Sequence, residues 1–235
     1  MILGSKRRSD RTGSRKAIKA APAPEILEGR ALLALVGVEL SYPTIAYNGT
    51  GGAGGGGVQY DASSREFDLS ATPTGIQLSG SAPSRAIVGA DRSYEIRIRV
   101  DNSGNLIGGV SGPDLVVKGS VDLDGNGTVD YTGVLLTGEV KKFGYLDDGA
   151  VDYFDFAFTP TGGALRALYA GKDITVFNVA EQSEGGTPFT GSFASDYTAD
   201  AKGDIGTAPA PCKGRDFFDK FLKELGVTRY AVWRG

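Results

Sequence analysis

Leu115-Val-Val-Lys-Gly-Ser-Val-Asp-Leu-Asp-Gly-Asn-Gly-Thr-Val-Asp130, followed shortly by Val134-Leu-Leu-Thr-Gly-Glu-Val140, decides the fold class: two strand-like runs joined by an acidic, glycine-turned loop. Asx and Gly residues supply the backbone conformations and local hydrogen bonds from which tight turns are built, so this stretch reads as a hairpin. Outward from it, strand-like runs recur at Arg65–Thr72, Tyr94–Val100, Asn105–Val110, Tyr153–Thr159, Asp173–Val179 and Phe189–Phe193. Turn clusters Asp101-Asn-Ser-Gly104, Ser111-Gly-Pro113 and Asp147-Asp-Gly149 separate them. Short strands at this spacing argue for a sandwich or a barrel, and the expectation is an all-β, antiparallel β-sandwich or jelly-roll-like fold. One exception is Ala164-Leu-Arg-Ala-Leu-Tyr-Ala170, which comes after Pro160 and two glycines and predicts a short internal helix ended by Gly171.

Composition agrees. Gly accounts for 36 of the 235 residues, about twice the usual share, and Phe and Tyr supply nearly all the aromatics. Histidine is absent and Cys212 stands alone, which removes the usual proton carrier, the usual nitrogen ligand of zinc, copper and iron, and any intrachain disulfide. A non-catalytic chain is therefore expected. Charge is segregated: residues 1–30 carry eight Lys/Arg against three Asp/Glu, whereas residues 31–211 carry eleven against twenty-two. An acidic body repels phosphate backbones, so no nucleic-acid partner is expected.

The chain divides into three regions. Residues 1–35 read as a basic leader or disordered tail, residues 36–207 as the β-sandwich domain, and residues 208–235 as a Pro/Ala linker plus a C-terminal helix. In that helix Phe217, Phe218, Phe221, Leu222 and Leu225 share one face, which reads as an aromatic stripe packing onto the sandwich. The apolar run near Leu32 is too short to cross a bilayer, so no transmembrane segment is expected. An internal echo is also present: Phe67-Asp68 and Thr72-Pro-Thr-Gly75 return 87 residues later as Phe154-Asp155 and Thr159-Pro-Thr-Gly162. Duplication and reuse of good turn chemistry explain it equally well.

Asp122-Leu-Asp124-Gly-Asn126-Gly-Thr128-Val-Asp130 places oxygen donors as a calcium loop does, because a hard divalent cation takes six to eight oxygens and a sharp glycine turn brings them together. Asp122, Asp124 and Asn126 would be side-chain ligands, Gly127 the turn, Thr128 a carbonyl donor and Asp130 the ninth-position ligand. Gly133 stands where a helix-loop-helix site has its bidentate Glu, so the expectation is weak calcium binding in a β-hairpin loop, or else a plain acidic turn. A second acidic group, Asp147, Asp148, Asp152 and Asp155, reads as solvent-facing acids at the start of a strand. A pair of carboxylates for sugar hydrolysis is the minor reading.

Leu27-Glu-Gly-Arg-Ala-Leu-Leu33 resembles the Leu-Glu-Pro-Arg-x-Leu-Leu segment near the start of many exported planctomycete proteins, with Gly29 in place of Pro. Val100–Leu106, Gly133–Val140, Phe143-Gly144 and Gly162–Leu165 are similar to a group of secreted, β-rich bacterial proteins of that type. The resemblance implies export to an extracellular or cell-surface location. From it, and from the acidic β-rich body, the expected function is a structural or adhesive surface module whose partners are a cell-surface polymer or other surface proteins. The alternative is a carbohydrate-binding module using Tyr131, Tyr145 and Tyr153, or, further off, a carboxylate-dependent glycoside hydrolase.

Overall fold

The computed structural model describes residues 40–49, 56–147, 151–181 and 187–207. Ten strands run in chain order: β1 (Ser41–Gly49), β2 (Gly57–Asp61), β3 (Glu66–Gln77), β4 (Arg85–Val100), β5 (Leu106–Gly109), β6 (Leu115–Val121), β7 (Tyr131–Asp147), β8 (Val151–Gly162), β9 (Ile174–Glu181) and β10 (Tyr197–Thr207). All pairings are antiparallel. β1 and β2 lie end to end between β3 and β10, with Gly49 opposite Ala201 and Val58 opposite Ala199. In the same way β5 pairs with Ile98–Val100 and β6 with Ile87–Ile96, so both occupy one position beside β4. Counting each broken pair once, eight positions close into a ring in which every strand neighbours the next in sequence.

This is a closed up-and-down barrel, and it replaces the expected β-sandwich. The physical difference is small in sequence and large in space: alternating strands with short turns specify neighbours, and only the pairing of the first strand with the last decides between two sheets and one closed one. Here β1 pairs with β10 over six residue pairs from Ser41↔Thr207 to Gly49↔Ala201, so neither end strand is left with an open edge.

Eight strands enclose a bore just wide enough for side chains to fill. Phe67, Phe154, Phe156 and Phe158 are fully buried, as are Tyr94, Ile96, Ile98, Leu69 and Val117. Phe67 meets Phe154 edge-on at 5.2 Å and Phe156 at 5.6 Å, while Tyr47 stacks on Tyr94 at 4.1 Å. Each such ring contributes roughly 1.5–3 kcal/mol by leaving water. Gly203, opposite Tyr47, is what admits the Tyr47 hydroxyl, since a Cβ there would lie 2.6 Å from it. That hydroxyl donates to Asn178 Oδ1 at 3.1 Å, and burial pushes both Tyr47 and Tyr94 phenols up in pKa.

Several sequence expectations change. The internal helix is a single 3₁₀ turn, Arg166–Tyr169, which drops Leu165 and Tyr169 into one mouth of the barrel. Phe189–Phe193 is not a strand. Gly191 turns with φ +73°, and both rings fall into the opposite mouth, where Phe193 meets Tyr60 at 5.0 Å and Phe189 meets Tyr197 at 4.8 Å. Strand content was missed at β2 and β10, where Gly, Asp and Lys interrupt the apolar pattern. The leader, the Pro/Ala linker and the C-terminal helix lie outside the described residues.

Candidate functional site

The acidic loop spans β6 and β7 as the hairpin expectation required, and Asp130 N–H donates to Val121 O at 2.9 Å to close it. Its carboxylates are turned inward onto the loop's own amides. Asp122 Oδ1 accepts from Gly125 N at 2.7 Å and Asn126 N at 3.2 Å, and its Oδ2 from Gly127 N at 2.7 Å. Asp124 Oδ1 accepts from Asn126 N at 3.0 Å, Asn126 Oδ1 from Thr128 N at 2.8 Å, and Asp130 Oδ2 from Leu123 N at 2.7 Å. Burial pushes Asp122 up, but these N–H donors outweigh it and leave its carboxyl below the ordinary range.

One oxygen each from Asp122, Asp124 and Asp130 lie within 4.8 Å of one another, so three of the five sequence-predicted ligands converge. Asp122 Oδ1 and Asp130 Oδ2 each take two of the loop's N–H donors, whereas Asp122 Oδ2 and both Asp124 oxygens take one each and keep a lone pair, and three acids plus Asn126 form a hard-donor set suited to a divalent cation. Gly133 is inside β7 with φ +96°, so the twelfth-position ligand is missing here as its sequence implied. Arg85, unseen in the sequence reading, braces the loop: its Nη2 donates to Asp124 O at 3.1 Å, and a Cβ at Gly125 would collide with the guanidinium. A resident cation at this position opposes a second one.

The second acidic group divides: Asp147 is exposed as expected, but Asp152 and Asp155 do not lie at the surface. Asp152 and Asp155 are fully buried, and because β8 pairs regularly with β9 from Val151 to Phe158, residues three apart fall on opposite faces. Asp152 shares the inner face with Phe154 and Phe156; Asp155 shares the outer one with Ala157 and lies opposite Phe177. These two acids therefore diverge. Asp147 stands opposite Asp152 across the β7–β8 pair, but the Gly191 turn sits against it: a Cβ at Gly191 would come within 3.0 Å of Asp147 Oδ2. Asp148 is outside the described residues.

A buried acid that the sequence reading passed over is structural. Asp114, 2% exposed, accepts from Val110 N and Val140 N at 2.8 Å each, stitching the gap between β5 and β6 to β7. Its signal was the Ser111-Gly-Pro113 break that precedes it. Of the three tyrosines considered for a sugar-binding face, Tyr145 packs against Phe193 at 4.9 Å and Phe189 at 5.7 Å, and Tyr153 against Phe177 at 5.8 Å. Tyr131 is 38% exposed and stands apart, so no aromatic row forms among them.

The outer faces of β3 and β4 carry Glu66, Asp68, Arg97 and Arg99 in facing pairs, with Arg97 Nε 3.2 Å from Asp68 Oδ1. No helix among the described residues is long and apolar enough to cross a membrane. Comparisons with family models, curated proteins and solved structures find no match to this chain.

Proposed function

We propose that this chain is an exported, non-catalytic β-barrel module that serves a structural or adhesive role at a bacterial surface, with calcium stiffening the Asp122–Asp130 loop. The observation that carries the reading is the filled bore. Aromatic rings from β1, β2, β3, β4, β7, β8, β10 and the 187–196 connection occupy it at centroid separations of 4.1 to 6.3 Å, both mouths are plugged by the protein's own side chains, and the acids Asp152 and Asp155 diverge. Reaction chemistry needs convergent groups beside a space for substrate. A packed closed barrel supplies rigidity instead, and its working surface is the outside and the loops.

Calcium is favoured over magnesium because the donors are carboxylates and an amide on a short loop and not a rigid octahedral cage. The test is a thermal melt of the full chain with and without millimolar calcium. The expected result is a rise of a few degrees that Asp124→Ala abolishes; for a weak site, ligand at ten times its Kd contributes about 1.4 kcal/mol. No rise in the unmodified protein, or an equal rise in the variant, counts against the ion. Export is tested separately by cell fractionation, where retention of the full chain in the cytoplasm defeats it.

A further inference from the structure

The mouth of the barrel that bears the acidic loop also bears the β8–β9 connection, since in an up-and-down barrel alternate connections share an end. Beside that connection lies an open depression of about 690 Å³, lined by Lys141, Thr159, Pro160, Arg166, Lys172 and Asp173 together with glycines and alanines of the turn. Three of the eleven cations of residues 31–211 meet here. Lys141 is already occupied, its Nζ 2.9 and 2.7 Å from the two Asp173 oxygens. Arg166 and Lys172 are exposed and make no ion pair among the described residues.

We infer that this depression binds the anionic groups of an acidic polysaccharide. The surrounding backbone rules out a phosphate cradle: Ala164 N donates to Val134 O, Leu165 N to Leu135 O, Arg166 N to Gly163 O and Lys172 N to Tyr169 O, at 2.8 to 3.1 Å, leaving no row of amides for a compact dianion. Recognition falls to the side chains, and a guanidinium fork suits a planar carboxylate or a sulfate ester. The depression is within the size range of small-ligand sites, yet it is open-sided, and so admits a polymer that continues past it. Pro160, Ala164, Ala167 and Ala170 supply apolar lining against which the C–H face of a sugar ring can lie. The acidic remainder of the barrel opposes a polyanion, but at physiological ionic strength charges more than about 8 Å away are largely screened, and the local pair prevails.

The inference rests on the surface-module reading for its partner, but its test does not depend on where the protein resides. Affinity electrophoresis of the full chain through polygalacturonate, dextran sulfate, neutral dextran and poly-glutamate compares carboxylated and sulfated sugars with an uncharged sugar and an acidic peptide. The basic residues outside 31–211 respond to any polyanion, so the decisive comparison is between two variants of equal charge change. Arg166→Glu with Lys172→Glu is expected to weaken binding to at least one acidic polysaccharide about tenfold, while Lys118→Glu with Arg99→Glu, on the outer faces of β6 and β4, leaves it within twofold of the unmodified chain. Equal loss in both variants, no loss in the first, or retardation by poly-glutamate alone overturns the inference. Carboxylated and sulfated arms separate the two sources of the anion. Unchanged melting temperatures confirm that both double variants fold.

Discussion

Two edges of the barrel share a short sequence and a backbone irregularity, and they separate at the very next residue. Thr72-Pro-Thr-Gly75 in β3 and Thr159-Pro-Thr-Gly162 in β8 sit four positions apart in a ring of eight, on opposite sides of the bore. In β3, Gly75 faces Ala46 and Pro73 faces Tyr47, so Thr74 is the extra residue; in β8, Gly162 faces Thr137 and Pro160 faces Gly138, so Thr161 is. The echo in sequence is thus an echo in structure: the same one-residue bulge against the preceding strand. A bulge is where a sheet tolerates proline, which has no N–H to give to its neighbour. Beyond it, Ile76 continues the first strand into the core, whereas Gly163 turns with φ +93° and launches the 3₁₀ turn. The arginines further along differ too, since Arg85 is bonded to the acidic loop and Arg166 faces the open depression. The lesson is that the shared bulge shapes the barrel and the unshared residue after it decides what the barrel's end can hold.

The largest effect tests the shared part. Phe67→Ala and Phe154→Ala should each cost about 3–5 kcal/mol in urea unfolding, because the rings hold equivalent places on opposite walls and are wholly buried. As the two rings touch, the double variant should fall short of the sum by about 0.5–3 kcal/mol. A cost below about 1 kcal/mol at either position would break the equivalence.

Next in size is the unshared glycine. A Cβ at Gly163 would sit 2.5 Å from the Leu135 carbonyl in a backbone conformation that L residues avoid, so Gly163→Ala should cost about 2–4 kcal/mol. At Gly75 the nearest obstacle is the Ser84 hydroxyl at 2.8 Å, then the Arg85 carbonyl at 3.2 Å, and no positive φ is involved. Gly75→Ala should therefore cost less, about 1–2 kcal/mol. Reversal of that order in urea titration would remove the claim that the β8 edge is the more constrained.

Smaller still are the bulged threonines. The Thr74 hydroxyl donates to the Ala46 carbonyl at 3.1 Å, whereas the exposed Thr161 shares a hydrogen bond with another side chain, the Thr137 hydroxyl, at 3.0 Å. Thr74→Val should cost about 0.5–1.5 kcal/mol, as a main-chain acceptor loses its donor, and Thr161→Val less than about 0.5 kcal/mol, as water replaces it readily.

Legibility in the sequence divides along the same line between local and distant causes. Strand existence was readable at β3 to β9 because alternation and Asx-Gly turns are local signals, and the hairpin nature of the Asp122–Asp130 loop was readable for the same reason. Closure was not, because the pairing of Ile45 with Ile205 joins residues 160 apart and leaves no local trace. Burial of Asp152 and Asp155 was hidden too: two acids at the start of a strand ordinarily read as solvated, and only the packed surroundings of both faces of β8 say otherwise. The depression at Arg166 was illegible because Lys141 reaches it from within β7 and Lys172 from the turn before β9, while the short run Ala164–Ala170 gave only a helix signal.

The least effect belongs to the loop that Arg85 braces, and its sign can be worked out. Asp122 is held below the ordinary carboxylate range in the fold by its amide donors, so its contribution to stability is present above the unfolded value and is lost as the pH falls through the folded one. Stability of the unmodified chain should therefore decline on acidification below about pH 4, and Asp122→Asn should flatten part of that decline without altering the plateau near neutrality beyond the lost hydrogen bonds. Asp101, lowered by the Asn105 amide and side chain, titrates the same way at the other mouth and is the natural comparison. If Asp101→Asn flattens the acid limb and Asp122→Asn does not, the amides of the acidic loop are not gripping the carboxylate in solution, and a loop so loosely held would lose its preorganisation for a cation as well.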